Sequence, residues 1–108
     1  KPYKRNIRLA EQVKVVLSDH FLKKGIYLLD NSTTIITITS VDLSEDLRHA
    51  KVYFTSMTDS SKKDEIENSL NLNSHQYKFI VGKKIRTKNI PKIKFIYDKM
   101  FGLELKVD

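Results

Sequence analysis

The chain has no cysteine, which excludes disulfides and thiolate metal sites and leaves nothing that calls for an oxidising compartment. No apolar run approaches the roughly 18 residues that a membrane-crossing helix needs, and no apolar stretch of the signal-peptide kind follows the opening Lys1-Pro2-Tyr3-Lys4-Arg5. A soluble, cytoplasmic protein is the expectation, and the start at Lys1 without a methionine reads as a trimmed one. Glycine is scarce. With only Gly25, Gly82 and Gly102, no G-x-x-G and no other glycine-rich phosphate loop can be assembled. A Ser-His-Asp set and a cysteine nucleophile are also missing, so the chain offers no familiar catalytic apparatus.

Acid is scarce locally rather than throughout. Between residues 68 and 97 there is no Asp or Glu, whereas Lys78, Lys83, Lys84, Arg86, Lys88, Lys92 and Lys94 all fall there. The first ten residues add Lys1, Lys4, Arg5 and Arg8, again without an acid. Residues 42–67 run the other way, with seven acids against four bases. The net charge of +7 and a pI near 9.6 therefore come from one basic side of the molecule. Such a side favours a polyanion, because each phosphate neutralised releases condensed counterions.

At 108 residues the chain has the size of one domain with one core. Residues 6–24 predict an amphipathic helix, with Leu9, Ala10, Val13, Val16, Leu17 and Phe21 on one side. Gly25 stands where a helix C-cap belongs, and 30–32 is a turn. Residues 33–43 and 50–57 predict two strands, close enough to form an antiparallel pair. Asp59, Ser60 and Ser61 offer N-caps for a second helix carrying Ile66, Leu70 and Leu72, with Asp64 and Glu65 suiting its positive end. That helix falters over 71–75, and a third is expected over 76–87 before Pro91 stops it. A third strand follows over 92–98. The order is α-β-β-α-α-β: an α+β sandwich whose three-stranded sheet carries the helices on one face. It is the order of the type II KH domain.

The third helix carries the sharpest physical signal. On a helical projection Lys78, Gly82, Lys83 and Arg86 share the side opposite Tyr77 and Ile80, and Phe79 lies among them. A cationic face with one exposed ring can pair phosphates and stack a base. The plain alternative is a solvated face with Phe79 packed inward. Lys84 and Lys88 fall nearer the apolar arc and are expected to lie along it. Arg5 and Arg8 form a second candidate phosphate-binding group, and Lys92 and Lys94 extend the basic surface from the third strand. Asp42, Glu45 and Asp46 could in principle hold Mg²⁺. Shaping the inter-strand turn, with Asp46 capping backbone donors, is the stronger reading. His20 falls in the apolar arc of the first helix as a core residue, and the three histidines are too scattered for a metal. No metal and no cofactor are expected.

Two segments go beyond element order. Val41-Asp42-Leu43-Ser44-Glu45-Asp46-Leu47-Arg48-His49-Ala50-Lys51-Val52-Tyr53 resembles the V-x-x-S-x-D-L-x-x-A-K-V-Y signature of the ribosome-binding factor A family. Residues 86–98 resemble that family's R-x-x-x-x-P-x-L-x-F-x-x-D run, with Ile93 in place of the Leu. The resemblance spans about residues 4–98. It implies a KH-like, non-enzymatic factor, monomeric and cytoplasmic, that binds the free 30S subunit through 16S rRNA. It further implies assistance with 16S 5′-end processing, and assembly GTPases as partners. At the junction of the second and third helices, where members carry Ala-x-Gly, this chain has Asn73-Ser74-His75. A kink there is compatible with Asn, which tolerates left-handed backbone, and His75 could substitute a side-chain contact for a close backbone approach. Three further readings stand beside this one: a general RNA-binding KH-like module, a basic protein-interaction domain, and a small metal-dependent nuclease built on residues 42–46.

Overall fold

A computed structural model describes residues 5–57 and 60–100. Helix α1 (Arg5–Lys23) buries Leu9, Ala10, Val13, Leu17 and Phe21, the stripe that its 3.6-residue period requires. The chain then leaves the helix through Gly25. A Cβ at this position would lie 2.5 Å from the carbonyl oxygen of Thr34, so a glycine is needed for strand β1 (Ile26–Tyr27) to pair with β2 (Thr33–Thr34). Asn31 in the connecting turn has φ 69°, and Asp30 accepts hydrogen bonds from the Ser32 N–H and hydroxyl at 3.0 and 2.6 Å. Those two bonds, with the Lys62 ammonium, pull the Asp30 carboxyl down to about 2. The sequence does not announce β1. Ile26, Tyr27, Leu28 and Leu29 alternate buried and exposed, but all four are apolar and the alternation is invisible in their chemistry. The single strand expected over 33–43 is in fact two, broken at exposed Ile35.

Strands β3 (Ile36–Leu43) and β4 (His49–Ser56) are antiparallel, from Ile36 opposite Ser56 to Leu43 opposite Ala50, with a bulge between Ile38 and Ser40. A tight turn joins them. Leu47 takes φ 64°, Asp46 accepts from the Arg48 N–H and the Ser44 hydroxyl, and the Ser44 oxygen accepts from the His49 N–H. The Asp46 carboxyl is thereby held below its ordinary value, chiefly by the Ser44 hydroxyl. Strand β5 (Lys92–Tyr97) then runs parallel to β4, giving a mixed sheet in the order β3-β4-β5. A parallel neighbour requires a crossover. Here it consists of a 3-10 turn (Ser60–Lys62), α2 (Lys63–Leu72) and α3 (Ser74–Lys84). Of the expected N-caps for α2, Asp59 lies outside the described residues. The cap position is Lys62 and no side chain bonds there, because the 3-10 turn leads directly into the helix. Leu72, expected in the core, is 84% exposed on the outer side of the last turn.

All three α-helices cover one face of the β3-β4-β5 sheet. Between them Phe21, Tyr77, Phe95, Phe54 and Tyr97 form a chain of tilted and edge-on rings with centroids 5.2–6.4 Å apart. His20, half-buried, meets Phe21 and Tyr77 edge-on, and burial followed by the Lys24 charge lowers its pKa. The outer edge of β5 is not left bare. The Asn71 side chain accepts from the Phe95 N–H at 2.8 Å and donates to the Phe95 carbonyl at 3.0 Å, while Glu67 accepts from the Tyr97 N–H at 2.8 Å. One amide side chain on α2 thus stands in for a missing strand. Asn71→Ala should lower stability by about 2 kcal/mol, since a desolvated donor or acceptor left unpaired costs ~1–3 kcal/mol. Urea unfolding with an unchanged m-value is the check.

Candidate nucleic-acid interface

Three segments far apart in sequence meet at one end of the sheet: the start of α1, the β3–β4 turn, and the 85–91 loop between α3 and β5. The Asn6 side chain donates to the Leu43 carbonyl at 3.0 Å, and the Lys92 N–H donates to the Arg48 carbonyl at 2.9 Å, which fixes the meeting. Together they enclose a pocket of about 410 Å³ that includes Arg5, Arg8, Gln12, Leu47, Arg86 and Lys88. Among the described residues no carboxylate lines it. Four cationic side chains around one cavity make a positive potential there, and a phosphate oxygen is a group that suits it.

Arg86 is in this pocket because α3 ends sooner than its periodicity suggests. The helix spans 74–84 rather than 76–87, and Ile85 is extended, with φ −115° and ψ 129°, and buried. Anchoring Ile85 in the core forces the chain out of the helix, so Arg86 leaves the face shared by Lys78, Gly82 and Lys83 and joins Arg5 and Arg8 instead. Lys88 does not lie along an apolar arc. It is exposed and completes the pocket, while Lys84 is exposed outside it.

On α3 itself Phe79 is 66% exposed, and the Lys83 ammonium sits 5.3 Å from its ring centroid. The alternative of inward packing for this ring is not what the fold adopts. Beside it a second cavity, of about 380 Å³, is lined by His75, Lys78, Phe79, Gly82, Lys83 and Ile90. Gly82 has a packing reason: a Cβ there would come within 3.2 Å of Ile90 Cγ1, so the glycine lets Ile90 lie against the helix and floor this cavity. An apolar floor, a ring at the rim and two ammonium groups suit one stacked base with its phosphates.

A third, smaller groove of about 270 Å³ runs between the start of α3 and β5, along Ser74, His75, Lys78, Lys92 and Ile93. Asn73 is the break between the helices, at φ −105° and ψ 15°. The left-handed geometry open to Asn is not used. Its side chain donates to the Ser69 carbonyl at 2.9 Å, and its own carbonyl accepts from the Gln76 N–H at 2.9 Å, so two ordinary bonds hold the bend. His75 is exposed at the groove mouth. Because Phe95 and Tyr97 direct their backbone groups outward, strand alternation aims the Ile93 N–H and carbonyl at this groove as well.

Sequence reasoning thus finds Arg5, Arg8, Lys78, Phe79, Lys83, Arg86 and Lys92 around three adjoining cavities. It misses Gln12, Lys88, Ile90 and the Ile93 backbone. The acid-free run contained Lys88, but nothing in a helical projection could reveal a loop. Lys94 is not brought to these cavities, since it is exposed on the sheet face away from the helices. Asp42, Glu45 and Asp46 do not converge, and among the described residues no group of three His, Cys, Asp or Glu could hold a metal ion.

The protein-family model for ribosome-binding factor A matches residues 5–108. A ribosome-binding factor A of Aromatoleum aromaticum is 35% identical over 98 residues, covering 91% of this chain and 75% of the relative. That of Natranaerobius thermophilus is 32% identical, covering 88% and 70%. Among solved structures, the crystal structure of ribosome-binding factor A from Thermus thermophilus shares the fold with a TM-score of 0.67 at 18% identity, covering 85% of this chain and 94% of that one. A homology model of the Thermus thermophilus factor, fitted into a cryo-EM map of a 30S complex with ribosome-binding factor A, aligns with a TM-score of 0.65 at 16% identity, covering 83% and 91%. The motifs flanking the β3–β4 turn and β5, the fold and these relatives agree, and the chain belongs to the ribosome-binding factor A family.

Proposed function

We propose that this chain is a small-subunit assembly factor that binds the free 30S subunit through 16S rRNA and acts by binding rather than by catalysis. The observation that carries the reading is the convergence of Arg5, Arg8, Arg86 and Lys88 from two separate elements on one acid-free pocket, next to the Phe79 cavity. Neither feature is needed to close the core, and together they match a phosphate backbone with a splayed base. Family membership supports the subunit as the target, as does the Thermus thermophilus relative seen in a 30S complex. Assistance with 5′-end maturation of 16S rRNA and contact with assembly GTPases belong to the same proposal. Of the carboxylates on which a nuclease would rest, Asp46 is engaged in its turn by the Ser44 hydroxyl and the Arg48 N–H, and Asp42 stands in register opposite Lys51.

Co-sedimentation across a salt series with free 30S subunits and with 70S ribosomes tests the proposal. Selective pelleting with free 30S that fades as salt rises is expected. Equal pelleting with any RNA would reduce the chain to a general RNA-binding module, and pelleting insensitive to salt and to added RNA would favour a protein partner. The double substitution Lys83→Glu with Arg86→Glu disables both cavities and leaves the core alone. It should weaken 30S binding at least about tenfold and flatten the salt slope, by roughly 0.7–0.9 for each phosphate that is no longer neutralised. Circular dichroism should be unchanged. Phe79→Ala alone should weaken binding by ~1–3 kcal/mol, the range for one stacked base.

A further inference from the structure

The sheet has a second face, which none of the described helices covers, and its lower half is basic. Lys51 on β4 and Lys94 on β5 are direct cross-strand partners, and the next pair toward the β3–β4 turn is His49 with Lys92. All four are exposed. In the other direction Tyr53 pairs with Ile96, both half-buried, and Ser40 flanks Tyr53 on β3. Asp42, opposite Lys51, is the carboxylate in these rows, so three ammonium groups face one carboxylate.

Two like charges held directly opposite each other on adjacent strands are destabilising. Asp42, opposite Lys51 on β3, offsets one charge of this pair, and the Lys94 charge stands exposed on the edge strand beside it. Lysines on an edge strand often serve to prevent edge-to-edge pairing. That duty is already met for the backbone at Phe95 and Tyr97, where Asn71 and Glu67 cover the edge. What remains is a pair of neighbouring cations whose repulsion an anion would remove, with a ring and an aliphatic side chain one row away. Lys92 links this surface to the first one, because it also lines the groove beside Ser74 and His75.

We propose that single-stranded RNA leaving the α3–β5 groove passes Lys92 at the edge of β5 and continues across the open sheet face. Its phosphates lie against Lys51 and Lys94, and one base packs on Tyr53. The phenol ring and the narrow platform favour a single strand, since a duplex keeps its base faces stacked inside. This extension rests on the RNA-binding reading above and adds a surface on the opposite side of the sheet from its cavities.

The test uses two probes, a uridine tetramer that can fill the groove and a uridine dodecamer that can also reach the open face, together with free 30S subunits. Wild-type protein should bind the dodecamer more tightly than the tetramer. Lys51→Ala with Lys94→Ala should leave tetramer binding unchanged and weaken dodecamer binding about fivefold at ~0.1 M salt. Its salt slope should fall by about 1.4, which is ~0.7 for each of two single-strand phosphates. Tyr53→Leu, which keeps an apolar side chain on the sheet, should weaken the dodecamer by about fivefold or more. Lys78→Glu, in the groove itself, should weaken both probes. A double lysine variant that keeps wild-type dodecamer affinity and slope would overturn the open-face path and leave the groove reading standing. Loss of 30S binding with dodecamer binding intact would overturn it in favour of a protein contact on this face. Wild-type protein that binds neither probe nor the subunit would overturn the groove reading as well.

Discussion

The parallel placement of β5 beside β4 is the constraint on which the rest of the molecule depends. A parallel neighbour cannot be reached by a hairpin, so the chain must cross the sheet, and it does so with α2 and α3 on the face that α1 already covers. Three consequences follow. The helices of the crossover close the core around Phe54 and Phe95. The return from α3 to β5 has to travel back to the start of β4, which delivers Arg86 and Lys88 to the first turns of α1. The opposite face of the sheet receives none of the described helices.

A parallel strand at the edge of a sheet also leaves one row of backbone groups unpaired, and their desolvation must be compensated if helices pack nearby. Asn71 does this for both backbone groups of Phe95, and Glu67 does it for Tyr97. Their positions four apart on α2 put both side chains on the side of the helix that meets β5. The cover stops there. Toward the start of the strand, Ile93 faces a groove rather than a side chain of α2. Where α2 ends and the chain bends at Asn73, the edge of the sheet becomes available to a ligand. The groove beside Ile93 is therefore a stretch of edge that α2 does not cover.

The order of the six principal elements, the core stripe of α1 and the structural role of Asp46 were legible, because each is written in a local period or a local turn chemistry. Local information failed where tertiary packing decided the outcome. The period of α3 runs on through Arg86 to Thr87, but burial of Ile85 ends the helix three residues sooner, at Lys84, and no projection of the sequence contains that fact. Strand β1 was hidden for the opposite reason, an apolar run too uniform to display its alternation, while its partner β2 lay within the strand expected over 33–43. For the site, the residue types were legible from the acid-free stretch, but their grouping was not. Arg5, Arg8, Arg86 and Lys88 belong together only because two strands, a turn and a helix end at the same place.

On the proposed function, the helix junction bears on how RNA is held without a glycine-rich loop. A G-x-x-G loop works by letting backbone N–H groups approach phosphates closely, and it depends on backbone angles that only glycine adopts freely. Asn73 keeps a negative φ and uses its side chain to hold the end of α2, so the bend is made by ordinary geometry and no backbone clamp is formed. The binding free energy that the proposed function requires then has to come from side chains. The described residues supply them on both sides of the bend: Lys78 and Lys83 with Phe79 on α3, and Arg5, Arg8, Arg86 and Lys88 in the pocket beyond it. Contacts of this kind are long, flexible and screened by salt, unlike a rigid backbone nest. On the proposed function, dispersed cations in place of a clamp make affinity depend on the number of phosphates engaged at once, which favours a long RNA over a short one.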